Sequence, residues 1–428
     1  MNKLNKIFLV IGGAALIALV IGIIMQQESI YKSAAVIAAI SLSMGLGAVP
    51  SLKGYQYTTG IIAAVVAGMM FPMVFTKWGS VDLRDKTLIL VIVQVVMFGM
   101  GIQMSLKDFS GLAQTGKGIA IGLLCHFSIM PLMGLLLTKV FHFEPEIAAG
   151  IILIGSCSSG LASNVMVYLA RANLVLSVII TAMATLAAPF LTPLLMKLLA
   201  GTLIKIDFLN MMLEIVKIVI VPIFAALLYD YLKTANKAQK RIVYAIFVAA
   251  IIWMGIVIYF VSIELEGEPG HIRTVLSGFF AGAIIVGVLY YWLQNIFSKL
   301  DKIMPYFSMF GIIYFTTVTT AAGHDNLMKV GLLLFIASVI HNAAGYFFGY
   351  WLSRLFKLDK NSARTVAFEV GLQNGGMASG LAGGMGKLGT VGLPAAVFSP
   401  WMNISGSILA NYWRKKPVDE NKNNFGTN

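Results

Sequence analysis

Apolar stretches long enough to cross a lipid bilayer recur from one end of this chain to the other, and that recurrence decides what it can fold into. A span needs about 20 mainly apolar residues. Within hydrocarbon every backbone N–H and C=O must be satisfied inside the segment, so repeated spans of this length form helices. The stretches lie near Ile7–Met25, Ser33–Val49, Tyr57–Phe75, Thr87–Met104, Gly116–Val140, Glu146–Ala170, Leu174–Leu198 and Met211–Leu232. They continue at Ile242–Ile263, Ile272–Phe297, Lys302–Ala322, Leu327–Leu355, Arg364–Leu388 and Ala395–Trp413, about fourteen in all. With 58% of the residues hydrophobic and only 11% charged, a soluble fold has no core large enough to hide them. The fold class expected is an all-α polytopic membrane protein. The first stretch lacks a small-x-small cleavage pattern after it and is expected to stay as a helix.

The net charge of +13 would point to nucleic acid in a soluble chain, but here the basic residues gather in short loops. Lys107 and Lys117; Lys233, Lys237, Lys240 and Arg241; Lys299 and Lys302; Arg354, Lys357, Lys360 and Arg364; and Arg414–Lys416 all fall on one side if both termini are cytoplasmic. The acidic loop with Glu264, Glu266 and Glu268 falls on the other side. The loop Lys77–Lys86 runs against the count, although Asp82 and Asp85 offset its basic residues. A membrane location with both termini cytoplasmic is expected, and no nucleic-acid partner is expected. Cys125 and Cys157 lack metal spacing or a disulfide framework.

Two spans are broken. Glu146–Ala170 is interrupted by Gly155-Ser-Cys-Ser-Ser-Gly160, and Arg364–Leu388 carries seven glycines together with Glu369, Gln373 and Asn374. Glycine costs a helix about 1 kcal/mol per position relative to alanine, and polar groups at this depth are tolerated where the break lines a cavity or is buried in protein. A small-residue packing face with a structural Glu is the plainer reading. Gly-interrupted segments at corresponding places in two halves point to a transporter built from inverted repeats. Of eighteen acidic residues only Glu369 lies well inside a span, since Glu214 has Lys217 one turn away. Hydroxyls, amides and one carboxylate are hard oxygen donors suited to Na⁺; a structural hydrogen bond and a proton relay are the other roles for Glu369.

Four motifs in order carry a family resemblance: Gly155-Ser-Cys-Ser-Ser-Gly-Leu-Ala-Ser-Asn-Val-Met-Val-Tyr-Leu-Ala-Arg171, Leu176-Ser-Val-Ile-Ile-Thr181, Glu369-Val-Gly-Leu-Gln-Asn374 and Trp401-Met-Asn-Ile-Ser-Gly-Ser407. Together they resemble the bile acid:sodium symporter family, close to its bacterial members, over roughly Tyr57–Leu232 and Leu300–Lys416. The resemblance implies a ten-helix unit of two inverted repeats, in which two discontinuous helices cross within a core domain and a panel domain moves against it. It implies one sodium site from Ser163, Asn164, Ser177, Thr181 and Glu369. A second would share Glu369 and Gln373, with main-chain oxygens of Val370 and Leu372. Asn374, Asn403 and Leu161 would face an organic anion. Its implied class is bile acid, steroid conjugate, pantoate or a keto acid-like compound, with Na⁺ as coupling ion and no further cofactor.

The residues alone leave alternatives open. Ser163 and Asn164 could cap the second half-helix, and Ser177 and Thr181, on one helix face, could be back-bonded hydroxyls. Two Na⁺ against one carboxylate would leave a positive charge for an anionic substrate to balance. The chain departs from the family at His126, where bacterial relatives have a glutamine completing the second sodium site, so a proton-coupled mechanism enters as an alternative. It departs also in size: residues 1–56 and 233–299 each add a transmembrane pair around the symporter unit, 57–232 and 300–416, and 417–428 form a polar tail. An intramembrane hydrolase using Ser158 or Ser159 with His126 or His341, and a channel, are the other classes considered; a transporter, not an enzyme, is expected.

Overall fold

The structure is a computed structural model that describes residues 3–49, 52, 55–106, 112–261 and 269–418. Lys107, the acidic loop with Glu264, Glu266 and Glu268, and residues 419–428 lie outside the described residues. The chain is almost wholly helical. Helices α1 (Lys3–Ile24), α2 (Glu28–Gly45) and α3 (Gln56–Met70) lead to a hairpin of β1 (Lys77–Trp78) and β2 (Val81–Asp82). Then come α4 (Lys86–Ile102), α5 (Leu112–Phe141), the half-helices α6 (Pro145–Ser156) and α7 (Leu161–Leu169), and α8 (Leu174–Ala200). The second half holds α9 (Phe208–Ile215), α10 (Val221–Thr234), α11 (Lys237–Val261), α12 (Pro269–Ile296), α13 (Leu300–Ala322) and α14 (His324–Leu355). It ends with the half-helices α15 (Lys360–Gly371) and α16 (Gly375–Gly384), and α17 (Leu393–Arg414). Among the described residues nine helical segments are long and apolar enough to cross a membrane, by length and composition. The protein is an all-α, multi-pass membrane protein.

Local chemistry accounts for the irregular places. A single π-type turn, Val216–Ile220, joins α9 to α10 just before Pro222. Proline lacks an N–H and its ring crowds the carbonyl four residues back, and a widened turn relieves both. In the loop before α4, Asp85 caps the helix by accepting from the N–H groups of Thr87 and Leu88. Arg84 donates to both carboxylate oxygens of Asp82 and holds its pKa down at about 2. One of the basic charges that ran against the loop count is thereby answered locally, Arg84 by Asp82.

The helices divide into a row and a bundle. Neighbours in the row run α1, α2, α3, α13, α4, α10, α12, α11. The bundle holds α5, α8, α14 and α17 around the four half-helices, and its packing is duplicated: α5 lies on α6 and α8 as α14 lies on α15 and α17. The row shows the same duplication, with α3 on α13 and α10 on α4. The pairs α1–α2 and α11–α12 occupy the ends of the row, α2 against α3 and α12 against α10.

Row meets bundle where α16 lies on α4. A Cβ at Gly380 would come 2.7 Å from Val93 Cγ2, and one at Gly383 would come 2.7 Å from Ile89 Cγ2. The small-residue packing face read from the sequence is therefore present, on the half-helix after the polar break. Gly380→Leu is expected to overfill this contact and cost about 1–3 kcal/mol, seen as a lowered melting temperature in detergent. Gly13→Leu, where a Cβ meets nothing within 4 Å, should leave it unchanged; equal melting temperatures for the two variants would contradict the packing.

Candidate functional site

Both breaks are short extended segments, and they pair with each other. Asn374 N–H donates to Ser158 O at 2.9 Å and Gly160 N–H donates to Leu372 O at 3.1 Å, an antiparallel bridge centred on Ser159 and Gln373. Groups freed by interrupting the helices thus find partners across the crossing, as buried backbone must. Asn342 Nδ2 serves a further freed carbonyl, Gly371 O, at 2.8 Å. Glycine at position 160 eases the close approach here, since a Cβ would stand a tight 3.0 Å from Gln373 O.

Glu369, fully buried, lies two residues before the end of α15, and its carboxylate meets a ring of oxygens. Ser177 Oγ reaches Oε1 at 2.5 Å; Ser159 Oγ and Thr181 Oγ1 reach Oε2 at 2.7 and 2.9 Å. Asn164 Oδ1 joins through Ser177 Oγ at 2.7 Å and Thr181 Oγ1 at 3.2 Å, and Ser163 Oγ lies 3.4 Å from Thr181 Oγ1. The five side chains of the first expected sodium site are brought together. Their roles differ from the plainer alternatives. Gly160, not Ser163 or Asn164, is the N-cap of α7, and Ser163 Oγ donates back to Gly160 O at 2.8 Å. Ser177 and Thr181 turn to Glu369; Thr185 is the back-bonded hydroxyl, on Thr181 O.

This cluster has more acceptors than protons. Ser177 Oγ carries one hydrogen yet touches both a carboxylate oxygen and an amide oxygen, and Thr181 is placed the same way. A cation seated among these oxygens would meet the excess, and a hard monovalent ion would fit an all-oxygen set. Ser159 belongs to this set, and the sequence reading did not place it there.

The second expected site has a different character. Val370 O accepts from Gln373 Nε2 at 2.7 Å, and Leu372 O is used by Gly160. Glu369 O lies 2.9 Å from His126 Nδ1, whose Nε2 lies 2.8 Å from Cys157 O. The buried imidazole thus ties the carbonyl chains of both breaks together, besides packing edge-on to Phe127. Of this set Gln373 Oε1 is buried without a hydrogen-bond partner. Asn374 caps α16 through Met377 N–H at 3.0 Å, Asn403 Nδ2 donates to Ser399 O at 2.8 Å, and Leu161 opens α7 at the crossing.

Neither Ser158 nor Ser159 is hydrogen-bonded to an imidazole. Ser159 Oγ serves Glu369, Ser158 Oγ faces Met377 Sδ at 3.8 Å, and His341 Nε2 meets Met130 O. The pairing that an intramembrane hydrolase would need is not made.

Crossed half-helices around a buried, oxygen-lined carboxylate define an ion-coupled membrane transporter. The chain belongs to the sodium/bile acid symporter family. The family model, described as Sodium Bile acid symporter family, matches residues 88–267. The chain is 31% identical over 364 residues to a protein of Bacillus subtilis named as an uncharacterized sodium-dependent transporter, YocS, covering 85% of this chain and 92% of the relative. A probable chloroplastic sodium/metabolite cotransporter of rice, BASS1, is 28% identical over 77% of this chain and 66% of its own length. The human ileal sodium/bile acid cotransporter is 29% identical over 68% of this chain and 67% of its own length. These relatives are named as transporters and cotransporters, not as enzymes.

Proposed function

We propose that the protein couples inward movement of Na⁺ to uptake of a small organic anion by alternating access, in a bacterial cell membrane with both termini cytoplasmic. The observation that carries this reading is the oxygen cluster on Glu369. Ser159, Ser163, Asn164, Ser177 and Thr181 hold one Na⁺ against the carboxylate. The anion is met beside it. Both α7 and α16 begin at the crossing, so their N-termini present partial positive charge to the same place. Leu161, Asn374 and Asn403 would line that place, and the anionic class is supported by the names of the relatives.

Purified protein in proteoliposomes is expected to accumulate a labelled organic anion under an inward Na⁺ gradient and not under K⁺. Testing bile acid, steroid sulfate, pantoate and keto acid side by side identifies the substrate class. Uptake driven equally by K⁺, or by a proton gradient without Na⁺, would reject sodium coupling. The proton-driven outcome is the second reading, favoured by the two carbonyl contacts of His126.

A further inference from the structure

We propose that the cleft between α12 and α13 is a binding site for one anionic phospholipid. The two helices are joined by a short turn, yet α12 packs on α10 while α13 packs on α4 and α3. They diverge from their shared end and leave a cavity of about 940 Å³, floored by residues such as Phe98 of α4 and Ala225 of α10. Residues of α11 and α12, such as Val257 and Gly282, form one wall of this cleft.

The lining is hydrocarbon almost throughout. Its polar members are Gln94, whose Nε2 donates to Lys217 O at 3.0 Å, and Tyr290, whose hydroxyl donates to Asp301 at 3.1 Å. A transported anion finds no spare donor on these walls, so the ligand portion held here is apolar. Val275 and Leu293 both line the cleft, eighteen positions apart on α12; at 1.5 Å per residue that is about 27 Å, close to the ~30 Å hydrocarbon thickness of a bilayer. Val95, Val286 and Phe307 at the margins are exposed, so the cleft opens sideways, where lipid is the solvent.

Charge selects among lipids. At the closed end Leu300 lines the cleft, and Lys299 and Lys302 beside it are exposed. Among the described residues neither lies in an ion pair, while nearby Lys233 is paired with Asp230 at 3.1 Å. Asp301, between the two lysines, is engaged by the hydroxyls of Tyr229 and Tyr290. Acyl chains would run along α12 and the phosphate would sit at Lys299 and Lys302.

The test uses the full-length protein, stripped of lipid in detergent and then offered phosphatidylglycerol or phosphatidylcholine. Native mass spectrometry counts retained lipid and a melting curve reports stabilisation. One phosphatidylglycerol per chain is expected, preferred over phosphatidylcholine by about thirtyfold for two lysines at a membrane surface. The double variant Lys299→Ala, Lys302→Ala should lose the preference while keeping its fold and sodium-driven uptake. Gly282→Phe should exclude both lipids, since a Cβ there meets only the flexible tip of Met254, at 3.3 Å, and the ring would fill the cleft. Equal retention of the two lipids by the wild type, a preference untouched by the lysine substitutions, or the same stabilisation from inorganic phosphate alone would overturn the proposal.

Discussion

Glu369→Gln is expected to abolish sodium-dependent uptake while leaving the chain inserted and folded. The carboxylate is the one charge in the oxygen cluster, and it accepts from Ser159, Ser177 and Thr181 at 2.5 to 2.9 Å. Glutamine keeps the shape and an oxygen but removes the charge that holds the cation, and its amide N–H competes for the same oxygens. A buried carboxylate without a counter-ion is costly by several kcal/mol, so the wild type should be stabilised by Na⁺. At a concentration one hundred times the dissociation constant, that stabilisation is about 2.7 kcal/mol. The variant should show no Na⁺-dependent rise in melting temperature and an equal or higher melting temperature without Na⁺. Transport at the wild-type rate, or a retained Na⁺ shift, would remove Glu369 from the coupling site.

The second large effect concerns stoichiometry. His126 has carbonyl oxygens against both ring nitrogens, at 2.9 and 2.8 Å, and a carbonyl only accepts. A neutral ring has one N–H and leaves one of these contacts acceptor to acceptor; the doubly protonated ring satisfies both. In either form the ring occupies Glu369 O, beside the residues implied for the second sodium, and the protonated form would carry a positive charge there. With one Na⁺, one imidazolium and one carboxylate, a single negative charge on the substrate closes the balance. Uptake should therefore depend on Na⁺ with a Hill slope of about one. His126→Gln frees Glu369 O and places an amide oxygen at position 126, while Gln373 Oε1 is already unpartnered, so its slope should rise towards two. A slope near two in the wild type would show that the second sodium site is intact.

How far the sequence could be read depends on what each residue's placement rests on. The helices were legible because an apolar run in a bilayer has one option, and the interruptions because glycine and serine runs are poor helix interiors. The motif-derived cluster of Ser163, Asn164, Ser177, Thr181 and Glu369 was legible through family resemblance, and the structure gathers it within hydrogen-bonding distances. Ser159 was missed for a physical reason. In an extended segment successive side chains point to opposite sides, so Ser158 faces Met377 and Ser159 faces Glu369. Only the bridge between Ser159 and Gln373 fixes which is which, and that register is set by pairing across the fold. The row of helices was equally hidden, because α3 and α13 are neighbours in space and far apart in the chain.

The duplication of packing is incomplete at one point. The half-helix α16 is seated on α4 through its glycines, whereas α7 has no comparable seat on α13. Exchanging the parts played by the two halves describes the opposite arrangement, with α7 lowered onto α13 and α16 lifted away. Yet α7, Leu-Ala-Ser-Asn-Val-Met-Val-Tyr-Leu, has no glycine, so its seat would be shallower and more crowded. Under the proposed alternating access the two wells would differ in depth, and cargo would have to supply the difference before the molecule could cross.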